Sequence, residues 1–250
     1  AQSLSAVLAF YRLTRPGTEY QICWRQIKPD VPMLKRILAI GLPSGVQNSI
    51  ISLANVIVQS NINKFGPHAM AGCGVYFKIE GFGFLPITCF AMALSTFVSQ
   101  NLGAGKTDRV RKGSIYGTLC SMGIAELVGV VVFTAAPWLM AAFNRDPDVI
   151  SYGVQQAHIE TLFWCLLGLS HCCAGILRGA GKAKVSMIVM LLCWCAIRIT
   201  YITVTVSIIP DIRVVFWAYP ITWTLSGILF LGYFKTRWKK VISQSAITVE

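Results

Sequence analysis

Charge is what this sequence has least of. Asp, Glu, Lys and Arg together make up 13% of its 250 residues, about half the share usual in a soluble domain. Acidic residues are the scarcest, ten against 22 Lys and Arg. A chain so poor in charge cannot cover a water-facing surface, and 55% of it is apolar, with a mean hydropathy of +0.62. Catalytic patterns are missing too. His158-x-Glu160 with a distant His171 does not have the spacing of a His-Glu-x-x-His zinc site. There is no Gly-x-Ser-x-Gly nucleophile elbow. The nine cysteines hold no Cys-x-x-Cys, so they read as small apolar packing residues. The composition therefore speaks against metal-dependent hydrolysis and a buried enzyme centre, and no cofactor is expected. The start lacks the charged n-region of a signal peptide; "AQSLSAVLAFYRL" reads as the last half of a membrane helix cut at its N-terminal side, which suggests a fragment.

What is abundant is long apolar runs. Six are close to or above the length that a helix needs to cross hydrocarbon, at about 38–63, 69–101, 114–143, 149–177, 185–209 and 214–234. The basic residues cluster at alternate ends of these runs. Arg12, Arg15, Arg25, Lys28, Lys35 and Arg36 precede the first, and Lys106, Arg109, Arg111 and Lys112 follow the second. Arg178, Lys182 and Lys184 follow the fourth, and Lys235, Arg237, Lys239 and Lys240 the sixth, which makes seventeen. The other connections hold only Lys64, Arg145 and Arg213. By the positive-inside rule the seventeen face the cytoplasm and so do both ends of the segment. The net charge of +12 is then a topology signal directed at lipid headgroups, not at nucleic acid.

The stretch "SQNLGAGKTDRVRKG" (99–113) mimics a phosphate-binding loop, but Gln100 stands where the leading glycine belongs, and a charge-free run precedes it. Gly-Ala-Gly-Lys recurs at 179–182, again at the end of an even-numbered run. Gly103, Gly105, Lys106, Arg178, Gly179, Gly181 and Lys182 therefore read as paired helix stops with lysines at the carbonyl ends, or else as a cytoplasmic gate.

Along the first run, Ser44, Asn48, Ser52, Asn55, Gln59 and Asn63 recur every three or four residues and share one helix face, flanked by Gln47. Such a face needs a hydrogen-bonding helix seam or a hydrated cavity. Pro43 could let that helix bend. Charged and ionisable residues inside spans are functional candidates because burying them is costly. They are Lys78, Glu80, Glu126, Glu160 and Arg198, with His158 and His171. Lys78 and Glu80 could reach the outer interface. Glu160, Trp164 and His171 fall on one stripe of an ideal helix, able to bind a cation or pass a proton, or simply to hydrogen bond within a helix contact. Arg198, near mid-span, must be paired; Glu126 is the expected partner, with Glu160 the alternative.

"LKRILAIGLPSGVQ" (34–47), "FLPITCFAMALSTFVSQNLGAGKTDRVRKG" (84–113), "DPDVI" (146–150) and "GILRGAGKAK" (175–184) together resemble the MATE family of multidrug and toxic-compound extrusion transporters, over nearly the whole chain. The resemblance implies an all-α integral membrane protein, a six-helix bundle forming one lobe of a two-lobed inverted V. Its parts would be the end of a preceding transmembrane helix (1–13), a cytoplasmic connector (14–36), the six-helix lobe (37–235) and a cytoplasmic tail (236–250). It implies a multi-pass protein of the cell membrane, whose partners are lipid, a small organic and often cationic substrate, and the missing N-terminal lobe of the same chain. Export would run by alternating access, driven by H+ or Na+. Ser44, Asn48 and Asn55 would face the cavity, with Gln47, Ser52, Gln59, Glu80, Glu160, Trp164 and His171 as further candidates. Two carboxylates that some members use for coupling are replaced by Ile51 and Leu167, which moves coupling to Glu80, Glu160 or the other lobe. A lipid-linked or polysaccharide flippase of the same superfamily is the rival reading; a membrane-embedded enzyme, a channel or a partner subunit fits less well.

Overall fold

The computed structural model of the chain describes residues 2–15, 28 and 30–247, with Arg36 and residues 239–247 described by their backbone alone. Most of the connector expected at 14–36, and residues 248–250 of the expected tail, lie outside the described residues.

Contacts divide the chain into Ala1–Leu38 and Ala39–Glu250. In the first unit, α1 (Gln2–Thr14) buries none of its side chains. Arg15 lies over the Tyr11 ring and donates to its hydroxyl at 3.0 Å.

The second unit holds the lobe. Its elements are α2 (Val31–Asn63, from its third turn onward), α3 (Pro67–Gly103), α4 (Thr107–Phe143), α5 (Pro147–Glu160), α6 (Trp164–Gly179), α7 (Ala183–Leu191), α8 (Arg198–Ile208) and α9 (Ile212–Ile247). A 3-10 turn at Thr161–Phe163 joins α5 to α6, and a π-helical turn at Leu192–Ile197 joins α7 to α8. Each pair makes a single crossing, so six helical spans are long and apolar enough to cross a membrane. Among the described residues there is no strand. The helices outrun the apolar segments at several ends. In particular α9 continues to Ile247, through the stretch expected as tail from 236, where no proline or glycine interrupts "KTRWKKVISQSAI".

The helix ends follow from local chemistry. Asp146 caps α5, its Oδ1 accepting from the Asp148 amide at 2.9 Å with Pro147 in the first turn, which accounts for the "DPDVI" stretch. The two Gly-Ala-Gly-Lys stops are the same turn built twice. The Lys106 amide reaches back to the Asn101 carbonyl and Gly105 to Leu102; Lys182 reaches Leu177 and Gly181 reaches Arg178, at 2.8 to 3.0 Å. Gly105 and Gly181 have φ of 68° and 72°, the left-handed conformation such a cap requires.

α6 is the centre of the lobe, packed against α3, α4, α7 and α9. Its backbone approaches α3 closely: a Cβ at Gly175 or Gly179 would collide with the Ala91 or Ser95 carbonyl oxygen. Meanwhile Phe82, Leu85, Leu127, Trp138 and Ile208 stand exposed on the outer surface, an apolar perimeter suited to lipid tails.

Candidate functional site

Between α2 and the helices α3, α6, α7, α8 and α9 lies a cavity of about 800 Å3. Its α2 wall is the polar stripe: Ser44, Gln47, Asn48, Ser52, Asn55 and Gln59 all line it. Asn48, Ser52 and Asn55 are exposed and Ser44 and Gln59 half-buried, so the face meets open space and not a dry seam. Gln59 also donates to Asn63 Oδ1 at 2.9 Å, one turn on. Ile51, on the same wall, and Leu167, opposite on α6, line the cavity as hydrocarbon.

The facing wall carries the charges. Glu80 projects from α3, half-buried, and Arg178 stands at the α6 end. Arg198, 2% exposed, occupies the base of the wall. Its guanidinium donates twice to Thr222 Oγ1, from Nη2 at 2.8 Å and Nε at 3.3 Å. Thr222 can serve as the acceptor because its own proton goes to the Ala218 and Tyr219 carbonyls of α9, leaving its lone pairs for arginine. The guanidinium also lies 4.4 Å from the Tyr219 ring centre and 5.1 Å from that of Trp194, where the ring faces favour a cation. Trp194 is in turn fixed by its indole N–H on Ser226 Oγ, which shares a 2.7 Å hydrogen bond with Ser170 of α6. Trp194 lies within the π-helical turn and Arg198 directly after it, four residues on, where the two side chains share a helix face.

Arg198 is therefore not paired with Glu126. That carboxylate accepts from the Cys165 amide at 3.2 Å, on the far side of α6 from the cavity wall. It is occupied by the Cys165 N–H, one of the amides in the first turn of α6 that a helix start leaves without an intrahelical partner. Hydroxyl and aromatic partners took the place of the expected carboxylate, and neither follows a helical spacing that could be read from sequence.

Glu160 and Trp164 are a second correction. Both are sealed behind the cavity wall, 0% and 1% exposed, and neither lines it. Glu160 Oε1 accepts from Gln156 at 2.9 Å, while Glu160 Oε2, Tyr76 Oη, Gln156 Oε1 and Trp164 Nε1 are buried without a hydrogen bond. Glu160 leaves the stripe because the 3-10 turn between it and α6 advances about 120° per residue instead of about 100°; Trp164, on α6 with His171, has its ring over Gly83 of α3. His171 does line the cavity, its ring edge-on to Phe84 and Trp194 at centroid distances of 5.0 and 5.3 Å.

The remaining candidates are peripheral. Lys78 is exposed over the Phe143 ring, and His158 stacks on Phe133 at 4.4 Å, away from any metal arrangement with Glu160. His68, not among the expected site residues, meets Asp146 at 3.3 Å. Gly103, Gly105 and Lys106 are exposed at the α3–α4 turn, and Gly181 at the α6–α7 turn. Of the residues first grouped with these turns, Arg178 belongs to the cavity wall. Also missed were Thr88, Tyr219, Trp223 and Met190, apolar or neutral residues whose role depends on which helices pack together.

Residues 43–204 match the MatE family model. The chain is 24% identical over 188 residues to a probable multidrug resistance protein, YpnP, of Bacillus subtilis, covering 73% of this chain and 42% of that protein. It is 26% identical over 171 residues to a probable multidrug resistance protein, NorM, of Thermotoga maritima, covering 68% of this chain and 37% of that one. The fold superposes on a crystal structure of MATE in complex with MaL6 with a TM-score of 0.88 at 18% identity, covering 96% of this chain and 54% of that one. The chain thus spans less than half the length of these curated relatives and about half of the solved transporter, as one lobe would. With six spans long and apolar enough to cross a membrane and a family match over most of its length, this chain is a multi-pass membrane protein and belongs to the MATE family of multidrug efflux transporters.

Proposed function

We propose that this lobe supplies one wall of the substrate chamber of an ion-coupled exporter, which moves small, often cationic organic compounds out of the cell by alternating access. The carrying observation is the α2 stripe: side-chain amides and hydroxyls from Ser44 to Gln59 open onto one cavity instead of pairing across a helix seam. Amides in such a cavity solvate a polar solute without fixing its identity, while the rings of Phe84, Trp194 and Trp223 supply apolar surface. Names of relatives as multidrug resistance proteins support the same reading.

Coupling falls to Glu80 in this lobe. At Ile51 and Leu167 the wall is hydrocarbon, Glu160 is sealed away from the cavity, and Glu80 is the carboxylate that opens onto it. The coupling ion is then H+ or Na+ exchanged at Glu80, together with groups of the other lobe. The seventeen basic residues at alternate connections favour an orientation with both ends cytoplasmic in the cell membrane. The two Gly-Ala-Gly-Lys turns then lie on the cytoplasmic side, as rigid stops between moving helices.

The test is dye accumulation in efflux-deficient cells expressing the complete protein, with the proton and sodium gradients present or collapsed. Reduced accumulation that is lost with one gradient is expected; a broad panel of cationic dyes showing no gradient-dependent change would refute export.

A further inference from the structure

Across α6 from the polar cavity, α4, α6 and α9 enclose a groove of about 410 Å3. α6 separates the two spaces, turning Leu167, His171 and Arg178 to the cavity and Leu169, Cys173 and Ile176 to the groove. The buried Cys173 and Ile176 make the groove's floor, while Ile115, Leu119 and Leu231 stand exposed at its rims. It therefore opens onto the apolar perimeter, where the solvent is lipid.

The lining changes in one direction. Arg111, in the second turn of α4, lies at the end of the lobe that carries the Gly-Ala-Gly-Lys turns, with Trp238 toward the matching end of α9. Ser114 is one turn deeper on the same helix face; it is 6% exposed, and its hydroxyl is buried without a hydrogen bond. Apart from Thr118, the rest of the lining toward Met122 and Leu231 is apolar. From Arg111 to Met122 is about 16 Å of α-helix, close to half the depth of a hydrocarbon core of about 30 Å. Cation, hydroxyl and hydrocarbon thus follow one another over one leaflet, in the order of a phospholipid's phosphate, ester and acyl chain.

Charge selects the headgroup. Among the described residues Arg111 enters no ion pair and no side-chain hydrogen bond, and a guanidinium meets phosphate oxygens with two parallel N–H groups. Lys106, Arg109, Lys112, Lys235 and Arg237 stand exposed at the same end, with Asp108 as the acid among them. That field attracts a headgroup of net negative charge and repels the cation of a choline headgroup.

The geometry points to a seat for one anionic phospholipid between α4, α6 and α9, with its phosphate on Arg111, an ester carbonyl accepting from the Ser114 hydroxyl, and an acyl chain in the groove between Leu119 and Leu231. On the topology proposed above, this lipid belongs to the cytoplasmic leaflet. The seat is separate from the polar cavity and does not depend on what is exported.

The complete transporter, purified in detergent and stripped of lipid, is titrated with phosphatidylglycerol or phosphatidylcholine of identical acyl chains, and bound lipid is counted by native mass spectrometry. Wild type should hold one phosphatidylglycerol about tenfold or more tighter than phosphatidylcholine, the scale of one charge-assisted hydrogen bond. Arg111→Gln should lose that preference, whereas Lys112→Gln, an exposed cation next to it that does not line the groove, should keep it. Leu119→Trp, which brings an indole in from the exposed rim, should remove the seated lipid whichever headgroup it carries. Glycerol phosphate, a headgroup without a tail, should not compete. Equal losses in Arg111→Gln and Lys112→Gln would reduce the site to diffuse surface charge and overturn the proposal. So would unchanged binding in Leu119→Trp, full competition by glycerol phosphate, or a dimer that retains no lipid and is dispersed by Leu119→Trp, which would seat a second copy in the groove.

Discussion

Arg198 shows how a buried guanidinium can be held without a carboxylate. One threonine oxygen accepts two of its N–H groups and two aromatic rings cover its faces. Thr222→Val keeps the shape of that side chain but removes the acceptor, and hydrogen bonds to charged groups contribute about 1.5–3 kcal/mol. A loss of that size is expected in thermal unfolding in detergent, with Thr222→Ser largely restoring stability. The same logic separates Arg198 from Glu126. Arg198→Ala should destabilise equally whether or not Glu126→Gln is present, because that carboxylate serves the Cys165 amide; a double variant more stable than Arg198→Ala alone would restore the ion pair. At this scale the sequence was informative about which residues matter and less so about their partners. Arg198 stood out because an intramembrane charge is costly, whereas Thr222 and Tyr219 are ordinary residues until α8 and α9 pack.

The elements carry a sharper contrast. Gly-Ala-Gly-Lys could be recognised as a helix stop from its repetition and glycine content, and both copies form the same left-handed cap. Their first glycines differ, and nothing in either tetrapeptide says so. Gly103 has open space around its would-be Cβ, while Gly179 abuts the Ser95 carbonyl. Gly103→Ala should leave unfolding unchanged. Gly179→Ala must push α6 off α3, an overpacking cost of about 1–3 kcal/mol, and Gly181→Ala should lose about 1–2 kcal/mol from its left-handed φ. Equal effects of Gly103→Ala and Gly179→Ala, read by the same unfolding assay, would contradict the close α3–α6 approach. The α2 stripe was legible because its period of three to four residues is intrinsic to a straight helix. The Glu160–Trp164–His171 stripe misled at Glu160 because a three-residue 3-10 turn breaks the phase, and neither Gly nor Pro in "HIETLFW" announces it; it misled at Trp164 because that ring is taken up over Gly83 of α3.

For the molecule as a whole, the architecture could be read almost entirely from length, apolar runs and charge placement, since a bilayer leaves few options for a backbone. Six spans, their order and the polar face of the first all follow from that constraint. The cavity's charged wall does not, because it is assembled from Glu80 of α3, Arg178 of α6 and Arg198 of α8, far apart in sequence. The central claim is that substrate occupies the space between this wall and the α2 stripe. It is tested most directly by substrate protection in a cysteine-free complete transporter, labelling Asn48→Cys and Asn55→Cys with a membrane-impermeant thiol reagent, and with Val58→Cys, buried at 1% exposure, as the control. The account predicts that Asn48→Cys and Asn55→Cys are labelled, that Val58→Cys is not, and that a transported dye slows labelling at the first two positions. Inert thiols at 48 and 55 in every transport state, or labelling that the dye leaves unchanged, would contradict it.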